Sequence, residues 1–153
     1  MDIKNKTDQV MSLIDDDKRI EFLPSMFGQF FMKLEVITYD LASTLIEDYD
    51  KTSGYWEFAL TANGRPFIFP TMKEKIAKVS NIFGGLSVEI PVVLAGLTIT
   101  AQALCICLER DGSKIRSNKE RNRLIDLYHD IIKDGYSMAK TFNCSDSFFA
   151  LVD

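Results

Sequence analysis

The side chains best suited to chemistry in this 153-residue chain are few and scattered. His129 is the single histidine, and it sits between Tyr128 and Asp130 as a boundary or surface residue. The three cysteines are Cys105, Cys107 and Cys144. Cys105 and Cys107 stand two apart on an expected helix, so they point to different sides and make a poor metal clamp. With one histidine and no C-x-x-C, the ligand requirements of a structural metal site are not met. No spacing argues for a Cys–His nucleophile pair. The 22 carboxylates make neighbours such as Glu35 and Asp40, or Glu47 and Asp48, unspecific. G-x-S-x-G, a P-loop, a G-x-G-x-x-G after a strand and H-E-x-x-H are all missing. The residues therefore assign no catalytic site, cofactor or metal, and the reading is of a binder rather than an enzyme. An enzyme of unknown class, using a cysteine or acids near a hairpin at 54–70, is the weaker alternative.

One cluster carries a second kind of chemistry. Arg110, Lys114, Arg116, Lys119, Arg121 and Arg123 hold a third of the 18 basic residues within 14 positions. Two helices meeting near Gly112 suggest a helix-turn-helix. The connection, about seven residues, is long for that motif, and the first helix is too apolar to lie on a surface. A solvated connecting loop is the plain reading; contact with nucleic acid or an acidic partner is the alternative.

Composition narrows the classes further. The length suits one domain with a real core. A net charge of −4, with 18 basic residues interspersed among 22 acidic ones, argues against nonspecific nucleic-acid binding and against a dense phosphate-like charge array. The odd cysteine count and the polar opening Met1–Lys6, which has no apolar signal core, point to a reducing cytoplasm.

The elements that must position these residues are organised around Gly54–Pro70. Asn63-Gly64 predicts a two-residue hairpin turn. In that register Ala62 faces Arg65, Leu60 faces Phe67 and Phe58 faces Phe69, so Trp56, Phe58, Leu60, Phe67 and Phe69 share one aromatic face. Pro66 and Pro70 then fall at non-hydrogen-bonded positions, making the return strand an edge. Residues 1–18 read as a polar arm or short helix, and 19–153 as the domain. Three- and four-residue apolar spacing predicts a helix over 24–47, with Pro24 in its first turn and Gly28 admitting a close neighbour. Strands are expected at 76–80 and 86–90. The uncharged run Ile90–Leu108 is long enough to span a membrane. Thr98, Thr100, Gln102 and Pro91, and the lack of a basic cluster directly beside either end, favour a buried central helix at 92–109 instead. Ser117 and Glu120 make a capping box for a helix that Gly135 should break, and a short helix is expected at 145–151. The sum is an α+β fold: a small antiparallel sheet, the hairpin plus one or two further strands, packed against three main helices.

Four segments of this chain resemble the ArdB/KlcA antirestriction family. Arg19-Ile20-Glu21-Phe22-Leu23-Pro24-Ser25-Met26-Phe27-Gly28 is similar to its R-x-x-F-L-P-x-x-F-G opening. Asp48-Tyr49 closes the following helix. Gly54-Tyr55-Trp56-Glu57-Phe58 resembles the G-G-Y-W-x-F strand, and Asn63–Pro70 resembles the N-G-G-F-x-x-x-P return strand. The agreement in order and spacing runs over about 19–110. The loop Asp50–Ser53 is longer than the family's, and Arg65-Pro66 replaces a common glycine. The resemblance implies an inhibitor of DNA cleavage by type I restriction–modification systems, carried by mobile DNA. Its partner would be the restriction complex, met directly or indirectly, with no membrane and no small-molecule substrate. Asp48, Tyr49, Tyr55, Trp56 and Arg65 are the candidate contact residues, aromatic and arginine anchors being common hot spots.

Overall fold

The computed structural model describes residues 3–49 and 54–152; the long loop at 50–53 lies outside them. In chain order the elements are α1 (Ile3–Val10), β1 (Met11–Leu13), α2 (Arg19–Phe27), α3 (Phe31–Leu45), β2 (Trp56–Thr61), β3 (Pro66–Pro70), β4 (Ile76–Ser80), β5 (Ser87–Pro91), α4 (Val92–Asp111), α5 (Asn118–Thr141) and α6 (Ser145–Val152). This is an α+β fold with two antiparallel sheets, β1-β2-β3 and β4-β5. The three longest helices, α3, α4 and α5, pack with them. The expected strands at 76–80 and 86–90 pair with each other rather than with the hairpin. The hairpin's third strand is instead β1, from the segment read as an arm.

The apolar run becomes α4, the core helix. By length and composition it passes as a membrane span, yet 72% of its most apolar window is buried inside the protein. It lies against β3 with no room for a side chain at Gly96. Its Thr100 solves the edge problem of β3. The Thr100 hydroxyl accepts the Ile68 N–H (3.1 Å) and lies within reach of the Gly96 and Ile68 carbonyls (2.7 and 3.2 Å). Pro66 and Pro70 have no N–H to satisfy on that edge, so one hydroxyl serves the strand. We expect Thr100→Val, which keeps the shape, to cost about 1–3 kcal/mol by leaving the Ile68 N–H buried and unpaired; urea denaturation measures it.

The hairpin register differs from the expected one by a residue. Trp56 pairs with Pro70, Phe58 with Ile68 and Leu60 with Pro66. The turn has three residues, Ala62-Asn63-Gly64, with Gly64 at φ +84° and its N–H on the Thr61 carbonyl (2.8 Å). A one-residue slip reverses the faces of a whole strand. Trp56 and Phe58 therefore share a face with Ile68, while Phe67 and Phe69 stack on the opposite face (5.9 Å). The single aromatic face is thus two: Phe22 of α2 stacks on Phe58 and Tyr39 of α3 meets Trp56, whereas Phe69 lies against α4.

Two helix boundaries also differ. The helix expected over 24–47 breaks at Gly28, whose φ of +58° ends α2; a 3-10 turn follows before α3. Pro24 consequently sits inside α2 rather than in its first turn. The close neighbour at Gly28 is the α5 carboxylate of Glu120, 3.0 Å from where a Cβ would stand. Gly135 does not end α5. It is buried within it, because a Cβ there would meet Phe148 of α6 and Leu97 of α4 at 2.5 and 2.8 Å. At the start of α5, Ser117 Oγ accepts the Glu120 N–H (3.2 Å), but the Glu120 carboxylate turns to Arg123 instead of completing the capping box.

Candidate partner-binding cleft

Three segments distant in sequence meet at the open end of the hairpin. Arg19 opens α2 and projects onto β2, where its Nη2 donates to the Trp56 carbonyl (2.8 Å). Its guanidinium carbon lies 4.8 Å from the Tyr55 ring centre and 4.1 Å from that of Phe58, within cation–π range. Trp56 Nε1 donates to the Tyr49 hydroxyl (2.9 Å), and the Tyr39 ring lies 5.0 Å from the indole. Burial, then the charge and hydrogen bond of Glu35, push the Tyr39 phenol well above its ordinary pKa, so it stays neutral. Arg19, Tyr39, Tyr49, Tyr55 and Trp56 wall an open cleft of about 440 Å³, with Val36 and Asp40 on the α3 side. Trp56 is 5% exposed and forms the floor, whereas Tyr55 is 51% exposed and reaches the rim.

The cleft unites three of the five expected contact residues: Tyr49, Tyr55 and Trp56. Asp48 is exposed beside it in the turn after α3, at φ +64°, a conformation Asp tolerates better than most residues. Arg65 is elsewhere, at the turn end of the hairpin. There it faces Asp130 and Asp134 of α5 at 3.4 and 3.8 Å. Asp134 is 4% exposed and accepts from Thr61 Oγ1 (2.6 Å) and Asn63 Nδ2 (2.8 Å). This network fastens the hairpin turn to α5, and Arg65 belongs to it. Sequence reasoning missed Arg19 and Tyr39. The signal for Arg19 was its place at the head of the motif; nothing local marked Tyr39.

The basic cluster divides. Arg121 donates to the carbonyls of Gly112 (3.1 Å) and Ile115 (2.9 Å), holding the α4–α5 connection. Arg123 pairs with Glu120 (2.6 Å) and donates to the Met26 carbonyl (3.0 Å), joining α5 to α2. Lys114 pairs with Asp111 (2.9 Å), which also takes Lys33 (2.7 Å); Lys114 and Lys33 hold that carboxylate at about 2. Arg110, Arg116 and Lys119 remain exposed. Arg121 and Arg123, a third of the expected patch, are thus committed to the fold.

His129 is exposed and stacks edge-on against Tyr128. Among the described residues, no three His, Cys, Asp or Glu side chains are grouped to hold a metal. Burial pushes all three thiols up, Cys107 to about 11, with Glu109 adding to the effect at Cys105 and Asp111 at Cys107. The thiolate is the reactive form. Alkylation of the native protein at pH 8, followed by mass spectrometry, should therefore be slower than that of the denatured chain at all three thiols. Fast native labelling at Cys105 would restore a nucleophile reading.

Fold and site define a small α+β domain with an aromatic surface cleft. No protein-family model matches the chain, and no curated protein matches it.

Proposed function

We propose that this chain is an antirestriction protein of the ArdB/KlcA kind: a cytoplasmic inhibitor, not an enzyme, that blocks DNA cleavage by type I restriction–modification systems through protein contacts and protects incoming mobile DNA. The observation that supports this is the interlock of Arg19, Tyr49, Tyr55 and Trp56. They come from three of the segments carrying the family resemblance, and they build one open cleft. Mixed surface charge at a net −4 fits protein contact better than DNA mimicry.

Phage plating on cells holding a type I restriction system, scored together with host DNA methylation, tests the reading. Restored plating with methylation intact is expected. Val36→Glu, which puts a charge on the exposed, cleft-lining face of α3, should lower the restoration strongly if Val36 is buried by the partner; a hot-spot contact is worth about 2 kcal/mol or more, roughly 30-fold in affinity. Arg65→Ala should retain it. Restored plating with methylation lost would favour a block of DNA binding. No restoration by the wild-type protein would overturn the proposal.

A further inference from the structure

The Arg19 Nη1 atom is buried and has no hydrogen-bond partner. Nη2 is used by the Trp56 carbonyl. A buried unpartnered donor on a charged group is costly and calls for an occupant. Two rings lie against the guanidinium. Phe58 is fixed in the core, whereas Tyr55 is half exposed, with its backbone carbonyl anchored by the Thr71 N–H (2.7 Å). Of the two rings, Tyr55 is thus the one that solvent reaches. Nearby, the Tyr49 hydroxyl accepts from Trp56, leaving its own O–H as a donor.

We infer that the cleft is an anchor site for one carboxylate presented by a protein partner, which pairs with Arg19 Nη1 when Tyr55 swings aside, beside the Tyr49 hydroxyl. The rim selects among anions. Glu35 stands behind Tyr39, and Asp48 lies on the adjoining turn. Such surroundings repel a polyanion such as a nucleic-acid backbone and admit a single planar charge that matches the guanidinium. The site stands on this geometry alone and does not depend on the restriction reading.

Trp56 is the chain's only tryptophan, so its indole N–H gives one signal that reports on the cleft. The whole protein, labelled with nitrogen-15, is titrated at constant ionic strength with N-acetyl-glutamyl amide, with its neutral isostere N-acetyl-glutaminyl amide, with inorganic phosphate and with a short DNA duplex. The glutamyl compound should shift the indole signal saturably, in the millimolar range that one charge-assisted pair supports, and the glutaminyl compound should not. Tyr55→Ala removes the gate, so it should tighten glutamyl binding about threefold or more, as an apparent affinity rises with the open fraction. Absence of a shift in both proteins, equal shifts with the neutral amide, or a shift with phosphate or duplex alone would each overturn the inference. A failed titration overturns it even where phage plating is restored, and a successful one upholds it even where plating is not.

Discussion

Replacing Gly96 by alanine should lower the stability of this protein by about 3 kcal/mol or more, at the upper end of what overpacking costs. A Cβ at this position would stand 2.2 Å from the Phe69 Cβ, 2.5 Å from its Cα and 2.6 Å from the Ile68 carbonyl oxygen. Two of those atoms belong to the backbone of β3 and the third is fixed to it, so no rotamer change relieves the clash. Either α4 or β3 must move. Movement also breaks the bonds of Thr100, one helical turn along, to both polar groups of Ile68. The strain and the hydrogen-bond loss are therefore coupled, and Gly96→Ala with Thr100→Val should cost less than the sum of the two. Gly112→Ala is the control. Gly112 has helical angles and nothing within 4 Å of a Cβ, so alanine there should be neutral or slightly stabilising. Urea midpoints of the wild type and these variants, with unchanged m-values, measure the difference. A Gly96→Ala midpoint close to wild type would mean that α4 does not lie on β3 at this distance.

Asp134→Ala should cost about 3 kcal/mol, in the range for removing a buried, hydrogen-bonded carboxylate. The loss strands the Asn63 amide, takes away the acceptor of the Thr61 hydroxyl, and removes one of the two carboxylates facing Arg65. Asp134→Asn should cost less, since one amide oxygen still accepts while its NH2 opposes a donor. Arg65→Ala should cost no more than about 1 kcal/mol, because its ion pairs are long and partly solvated. This order, with Asp134→Ala worst, Asp134→Asn intermediate and Arg65→Ala least, separates a buried hydrogen-bond hub from a simple ion pair. Equal losses from Arg65→Ala and Asp134→Ala would make the contact electrostatic instead. Destabilisation should appear locally too, as faster amide exchange at Thr61 and Gly64, whose N–H groups the turn protects.

The same residues mark how much of the fold was legible in sequence. Strand segments, α4, the Ser117 cap and α6 were readable because apolar period, uncharged length and cap chemistry are local properties. The Asn63-Gly64 turn was readable as a turn but not in its length. Asn63 does not take the positive φ of a two-residue turn; Gly64 alone of the three turn residues does, and the Asn63 amide donates to Asp134, 71 residues away. Gly135 was read as a helix breaker from its intrinsic cost, but the space it leaves is filled by Phe148, and packing outweighs propensity. Of the site, Tyr49, Tyr55 and Trp56 stood out by type, while Arg19, Tyr39 and the grouping did not.

The sequence by itself determined the α+β class and the apolar helix that must be core. These follow from composition and from spacing along one element. Only the tertiary structure decided the hairpin register, the division of the aromatic residues between two faces, the commitment of Arg65, Arg121 and Arg123 to the fold, and the meeting of Arg19 with Tyr55 and Trp56. Each of those depends on partners brought together from separate elements by burial of apolar surface and by the requirement that buried donors and acceptors be paired. Neither condition can be evaluated on one segment alone.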